Sequence, residues 1–221
     1  MTTLPEELAP LATRLFGDRL PLAERFTGLL AEHGQERGLI GPREVDRLWE
    51  RHVLNCALMV DSIDPSVRAL ADIGSGAGLP GVIIAIARPQ LHVTLVETMQ
   101  RRCAWLDEVN AELGLDYEVV RARAEELRGE RTFDAVTARA VAALDKLAKW
   151  TLPLVADGGE LLAMKGSSAA QEIEKAQPVL RRLGGVDPRI EQHGHGEVEV
   201  PTTVVRVRKQ TPARKGERRG R

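Results

Sequence analysis

Asp72-Ile-Gly-Ser-Gly-Ala-Gly-Leu-Pro-Gly81 decides how this chain is read. An apolar run, Val67 to Ile73, leads into it, and a second, Val82 to Ala87, leads out. That pattern is strand, glycine turn, helix. Glycines let the backbone turn tightly and approach a ligand without Cβ clashes, and the helix start behind them offers unpaired N–H groups. A nucleotide-like cofactor is therefore expected at the carboxyl end of this strand.

Two parsings of the loop compete. Gly76, Gly78 and Gly81 spell G-x-G-x-x-G, the dinucleotide fingerprint. Gly74, Gly76 and Gly78 spell G-x-G-x-G, with Asp72 two residues ahead. A carboxylate there would repel a pyrophosphate and suits an ammonium-bearing ligand such as S-adenosylmethionine. Glu97 ends the next apolar run, Val93-Thr-Leu-Val-Glu97, where an acid suits a ribose diol in either cofactor. Asp72 tips the choice to S-adenosylmethionine.

Strand and helix patterns alternate downstream of Pro65. Strands are expected at 68–73, 92–97, 117–121, 133–138, 159–165 and 202–208. Helices are expected near 80–88, 100–113, 122–128, 143–152 and 168–184. This predicts an α/β fold of the Rossmann-like class I methyltransferase type, a mostly parallel sheet with helices on both faces. The last strand follows a Gly/His loop, His193-Gly-His-Gly196, rather than a helix, so it is expected to run antiparallel.

Residues 1–65 read as a helical extension packed on the core. Leu4, Leu8, Leu11 and Leu15 share one face, Leu22, Phe26, Leu29 and Leu30 resume after Pro21, and Val45 to Val60 follow the turn Gly41-Pro42. Residues 66–210 form the cofactor-binding domain and 211–221 a disordered basic tail.

The chain has 221 residues and a net charge of −1, but eight Lys or Arg and one Glu crowd the stretch from Arg206 to Arg221. A basic end on an acidic body suggests nucleic acid or a ribosomal surface, or else a solubilising tail. Seven aromatic residues are too few for a broad base-stacking platform. No apolar stretch approaches the ~20 residues that span a bilayer, and the acidic N-terminus lacks a signal core. Cys56 and Cys103 sit in apolar helical patterns, and no metal-ligand spacing occurs. A reduced, cytoplasmic, metal-free protein is expected, and a monomer, since no coiled-coil pattern is present.

On the acceptor side, the fourth strand ends Phe133-Asp-Ala-Val-Thr-Ala-Arg139. The Asn/Asp-Pro-Pro-aromatic run of amine methylation and the Pro-Cys nucleophile of pyrimidine-carbon methylation are both absent. A ring nitrogen such as guanine N7 needs neither, because it already holds a free lone pair. Arg139 is read as a clamp for carboxylate, phosphate or guanine, or as a loop salt bridge. Lys165 ends the fifth strand on the same rim, either as a ligand contact or as a solvated lysine. His52, on an apolar helix face, is either a core histidine or a site residue. Arg101 and Arg102, which open a helix just after Glu97, read as a solvated helix face or as phosphate contacts. Ala124 and Glu125, after the third strand, stand where an adenine ring would lie.

With these motifs in view, the chain resembles the small-subunit ribosomal RNA methyltransferase G family, also called glucose-inhibited division protein B. The likeness covers about residues 20–208 and is carried by Glu50-Arg51-His52, the 72–81 loop, Leu95-Val-Glu97, Arg123-Ala-Glu125, Val136-Thr-Ala-Arg-Ala140 and Met164-Lys-Gly166. It implies N7-methylation of a guanine in the 530 loop of 16S rRNA, with the small ribosomal subunit as partner. It implies cofactor contacts at Gly74, Leu79, Ala124, Glu125 and Arg139, the ribose acid at Glu97, and acceptor-side roles for His52, Arg139 and Lys165. Arg37-Gly-Leu-Ile40 and Asn55-Cys56 depart from the family pattern. A small-molecule methyltransferase and a non-catalytic RNA-binding module are the competing readings. A dehydrogenase is disfavoured: the only tyrosine, Tyr117, is followed four residues on by Arg121 rather than a lysine.

Overall fold

The computed structural model describes residues 3–210, so the basic segment 211–221 lies outside the described residues. Seven strands form one sheet: β1 (Ala69–Ile73), β2 (His92–Glu97), β3 (Glu118–Arg121), β4 (Phe133–Arg139), β5 (Val155–Lys165), β6 (Gly185–His193) and β7 (Thr202–Lys209). Their order is β3-β2-β1-β4-β5-β7-β6. The first five run parallel, and β7 pairs antiparallel with both β5 and β6. The doubly-wound arrangement and the antiparallel last strand match expectation. The strand order reverses between β1 and β4, which is where such sheets open a crevice for ligands.

The apolar runs of the central strands follow from burial on both faces. In β1, Leu70, Ala71, Asp72 and Ile73 are all buried. One face is covered by α1 (Ala9–Phe16), α2 (Leu20–His33), α4 (Gly81–Ala87) and α5 (Gln100–Leu113), with a short α3 (Asn55–Leu58) beside them. The other is covered by α6 (Leu144–Thr151) and α7 (Ala169–Arg182). The N-terminal helices share a continuous apolar cluster with β1, β2 and α5. Phe26 of α2 lies fully buried in it, and truncating such a ring costs about 3 to 5 kcal/mol.

Four expectations are corrected. Pro21 does not break the helix but sits in the first turn of α2, where its missing N–H is harmless; the break is the 3₁₀ turn Gly17–Arg19. The helix expected over Val45–Val60 is irregular: a 3₁₀ turn (Val45–Arg47), a π-helical stretch (Leu48–Leu54), α3 and another 3₁₀ turn (Met59–Ser62). The segment 122–128 makes only a 3₁₀ turn, Ala124–Leu127. Finally, β6 has no counterpart among the expected strands. It carries Pro188, a positive φ at Asp187 and a register shift between Val186 and Arg189, all features of an edge strand without apolar alternation.

Burial also changes the reading of the basic end. Arg206 is buried in β7, where it pairs with Glu160 and, at 2.7 and 2.9 Å, with both oxygens of Glu191. Its charge belongs to the fold, so the stretch counted from Arg206 overstates what is free to meet a partner.

Candidate active site

The glycine loop needs its glycines for geometry. Gly74, Gly76 and Gly78 have φ of +73°, +54° and +98°, a region that costs other residues roughly 1 to 2 kcal/mol. A Cβ on Gly78 would lie 2.5 Å from Val82 and 3.3 Å from Phe26, and one on Gly74 would lie 2.9 Å from Val141. From below, the Trp105 indole N–H donates to the Ala77 carbonyl at 3.1 Å. The N-terminal helices and α5 thus hold the loop in shape.

Asp72 is fully buried behind the loop and does not line the cleft. Its Oδ2 accepts the Gly81 N–H at 3.0 Å, and its Oδ1 has no partner. Burial pushes its carboxyl up to about 7, against the lowering effect of the Gly81 bond. Two expectations change here. Asp72 braces the loop from inside rather than facing an ammonium group, and the Gly81 N–H at the start of α4 is already taken and is not on offer to a ligand.

In front of the loop lies a cleft of about 690 Å³. Gly74, Gly76, Leu79, Glu97, Ala124, Glu125, Arg139 and His52 all line it, whereas Gly78 and Lys165 do not. Glu97, at the end of β2, accepts N–H groups from Gly76 at 3.0 Å, Thr98 at 2.7 Å and Met99 at 2.9 Å. The Thr98 hydroxyl also donates to Oε1, at 3.3 Å, so Oε1 is fully engaged, and the spare acceptor position of the roughly four a carboxylate offers lies on Oε2, which holds the Gly76 bond alone. Arg102, read from sequence as solvated or as a phosphate contact, lines the cleft 3.7 Å from Glu97. Leu39 and Ile40, at one departure from the family pattern, supply apolar wall.

The acceptor side brings His52 and Arg139 together across 87 residues of chain. Both Arg139 terminal nitrogens lie 3.1 Å from His52 Nδ1, and His52 Nε2 lies 2.6 Å from Glu44 Oε2. Burial first, then the Arg139 charge, hold the His52 imidazolium below histidine's usual range. The hydrogen bond to His52 is the main cause lowering the Glu44 carboxyl. His52 stands on the π-helical stretch, a local rewinding that re-aims side chains and recurs at functional sites.

Arg139, Ala140 and Val141 separate this cleft from a second of about 520 Å³, which Lys165, Glu172 and Asn55 also line. Lys165 Nζ bonds the Ala142 carbonyl at 2.6 Å and Glu172 at 2.8 Å. Ala140 takes a φ of +55°, unusual for a residue with a Cβ, on the wall that both clefts share. Cys56, beside Asn55, is buried with its thiol pushed up to about 11, which leaves it unreactive.

Glu44, Glu172 and Trp150 also belong to these walls, and the sequence reading does not single them out. Glu172 carries a signal, an acid in the first turn of the helix that follows Lys165. Glu44 carries none, because only the folded turn after Gly41 brings it to His52. Among the described residues no cluster of three His, Cys, Asp or Glu is placed to hold a metal, and no helix is long and apolar enough to cross a membrane.

The cleft fits a nucleoside joined to an amino acid. Its volume suits a ligand of that size, its glycine cradle excludes side chains, and an acid with spare acceptor capacity lies at β2. Fold and cleft together define a class I S-adenosylmethionine-dependent methyltransferase. The S-adenosylmethionine-dependent methyltransferase SibL shares the fold with a TM-score of 0.60 at 17% identity, covering 76% of this chain and 57% of that one. A ribosomal protein L11 methylase from Lactobacillus delbrueckii shares it with a TM-score of 0.55 at 13% identity, covering 72% and 79%.

Sequence narrows the class. The chain belongs to the rRNA small subunit methyltransferase G family, whose model matches residues 19–199. A ribosomal RNA small subunit methyltransferase G of Renibacterium salmoninarum is 53% identical over 209 residues, covering 94% of this chain and 97% of that one. Another, from Nocardioides sp., is 57% identical over 199 residues, covering 89% and 79%.

Proposed function

We propose that the chain methylates N7 of a guanine in the 530 loop of 16S rRNA, with the small ribosomal subunit or its RNA as acceptor. The observation that carries this reading is the engagement of the acceptor-side groups, none of which is free to act as a general base. Arg139 can only donate, so His52 Nδ1 accepts from it and His52 Nε2–H donates to Glu44. Lys165 is engaged by Glu172 and a carbonyl. Such a rim suits an atom that carries its own lone pair and loses no proton, as guanine N7 does.

S-adenosylmethionine, when bound, would supply an electrophilic methyl to the N7 lone pair in line, its sulfonium leaving as the neutral thioether of S-adenosylhomocysteine. Glu97 would hold the ribose hydroxyls, and Gly74, Gly76 and Leu79 would line the cofactor's path, with Gly78 shaping the loop behind them. Ala124 and Glu125 would meet the adenine. Arg139, between the two clefts, would orient cofactor carboxylate or guanine rather than abstract a proton. Lys165 and Glu172 would meet the base in the second cleft. Arg139 and Lys165 act by position, so the gain they supply is that of orientation.

The test is transfer of labelled methyl to purified small subunits and to naked 16S rRNA lacking modification. Recovery of the label as 7-methylguanine is the expected result. Cofactor binding without transfer to either acceptor would refute the assignment and favour a small-molecule acceptor. An Arg139→Ala variant with unchanged turnover and cofactor affinity would remove Arg139 from the site.

A further inference from the structure

We infer that Glu44 is a positioning residue: by accepting the Nε2 proton of His52, it holds the imidazole in the one neutral tautomer whose Nδ1 can clamp the Arg139 guanidinium between the two clefts. The inference rests on the reading of Arg139 as part of the methyl-transfer site.

The donor inventory requires this arrangement. A guanidinium has only N–H groups to offer, and an ionised carboxylate only accepts. His52 lies between one of each, 3.1 Å from Arg139 and 2.6 Å from Glu44. A proton on Nδ1 would face two N–H donors and leave the Nε2 lone pair against a carboxylate. Only the Nε2–H form satisfies both contacts. Glu44 is itself placed by a turn, its backbone N–H donating to the Gly41 carbonyl at 3.0 Å. The chain Glu44–His52–Arg139 therefore connects the loop that walls the cofactor cleft to the strand end that divides it from the second cleft.

The same logic makes the clamp sensitive to acid. A second proton on His52 would sit on Nδ1 and turn it into a donor against Arg139. Glu44 raises the pH at which this happens, whereas burial, Arg139 and Arg51 lower it. The charge of Arg139 also bears on Asp72 and Cys56, and Arg51 and Arg47 bear on Glu44.

The experiment uses the full chain. Long-range proton–nitrogen NMR of the histidine rings, with the His52→Gln variant to assign His52, reads the tautomer directly. Nε2–H is expected in the wild type and in E44Q, whose side-chain oxygen can accept the same proton, and a smaller Nε2–H share is expected in E44A, where the Arg139 contact alone still favours that form. Nδ1–H or a doubly protonated His52 in the wild type at neutral pH would overturn the inference. Methyl transfer to small subunits at saturating cofactor should fall on the order of tenfold to a hundredfold in E44A and recover largely in E44Q. The acid limb of the E44Q rate profile should move to lower pH, because the charge that favoured the imidazolium is gone. An unmoved acid limb, with loss of folded protein as the only effect of E44A, would overturn the inference. Should the wild type methylate no ribosomal acceptor, the proposed function fails while the NMR result still decides the role of Glu44.

Discussion

Asp72 binds the backbone of Gly81 from inside the core: its Oδ2 accepts that N–H at 3.0 Å while Oδ1 stays buried and unpartnered. The acid joins the end of β1 to the first residue of α4 across the glycine loop. It braces the loop that walls the cleft, from one layer behind it.

An aspartate raised from 3.8 to about 7 favours a protonated fold. Ionising it costs stability as pH climbs from about 3.8 to about 7, and the cost is constant above that. Asp72→Asn stays neutral and keeps an oxygen for Gly81. Urea unfolding without cofactor should therefore show wild type losing roughly 2 to 3 kcal/mol relative to D72N between about pH 5 and about pH 8. An equal gap at both pH values would mean that Asp72 titrates like an exposed acid.

The loop glycines are not equivalent. An alanine at Gly78 meets Val82 at 2.5 Å and Phe26 at 3.3 Å, at a φ of +98°, whereas one at Gly76 meets nothing nearer than 3.7 Å. Gly76→Ala should cost roughly 1 to 2 kcal/mol of backbone strain. Gly78→Ala should cost that plus the overlap, roughly 1 to 3 kcal/mol more. Calorimetric titration with S-adenosylmethionine beside thermal melting checks the order, and equal losses at the two positions would contradict it.

Trp105 is buried, and its one polar atom serves the Ala77 carbonyl. Trp105→Phe leaves that carbonyl without its partner, at a cost of about 1 to 3 kcal/mol. Because Ala77 lies in the loop, cofactor affinity should fall together with the melting temperature. A fall in melting temperature with unchanged affinity would show that the loop keeps its shape without the indole.

Arg206 and the segment beyond Gln210 should behave differently, although both contribute to the basic end of the sequence. Removing the Arg206 head group, as in Arg206→Met, takes away the Glu160 ion pair and leaves Glu191 with Ser62 and Arg189 alone, and should cost about 3 to 5 kcal/mol of stability. It should leave the salt dependence of rRNA binding unchanged. Deleting 211–221 should instead lower the salt slope, by roughly 0.7 to 0.9 for each phosphate that the segment neutralises. An unaltered slope after the deletion would show that the segment does not bind RNA.

What the sequence by itself determined was local. Strand, glycine turn and helix at 72–81, an acid at the end of β2, and the alternation of strands with helices follow from residue type and period within a few positions of one another. The two-faced burial of β1, β2, β4 and β5 is written in their apolar runs. The direction of Asp72 was not, because a carboxylate at a strand end can face the cleft or the core, and only the position of the Gly81 N–H decides between them. Nor was β6, an edge strand paired on one side that needs no apolar alternation. Arg206 reads as a surface charge until β6 and β5 bring Glu191 and Glu160 to it. The clamp of Glu44, His52 and Arg139 is the clearest case. Its hydrogen bonds join a turn, a π-helical stretch and a strand end that are neighbours only in the folded chain, so tertiary packing alone selects the tautomer that makes them compatible.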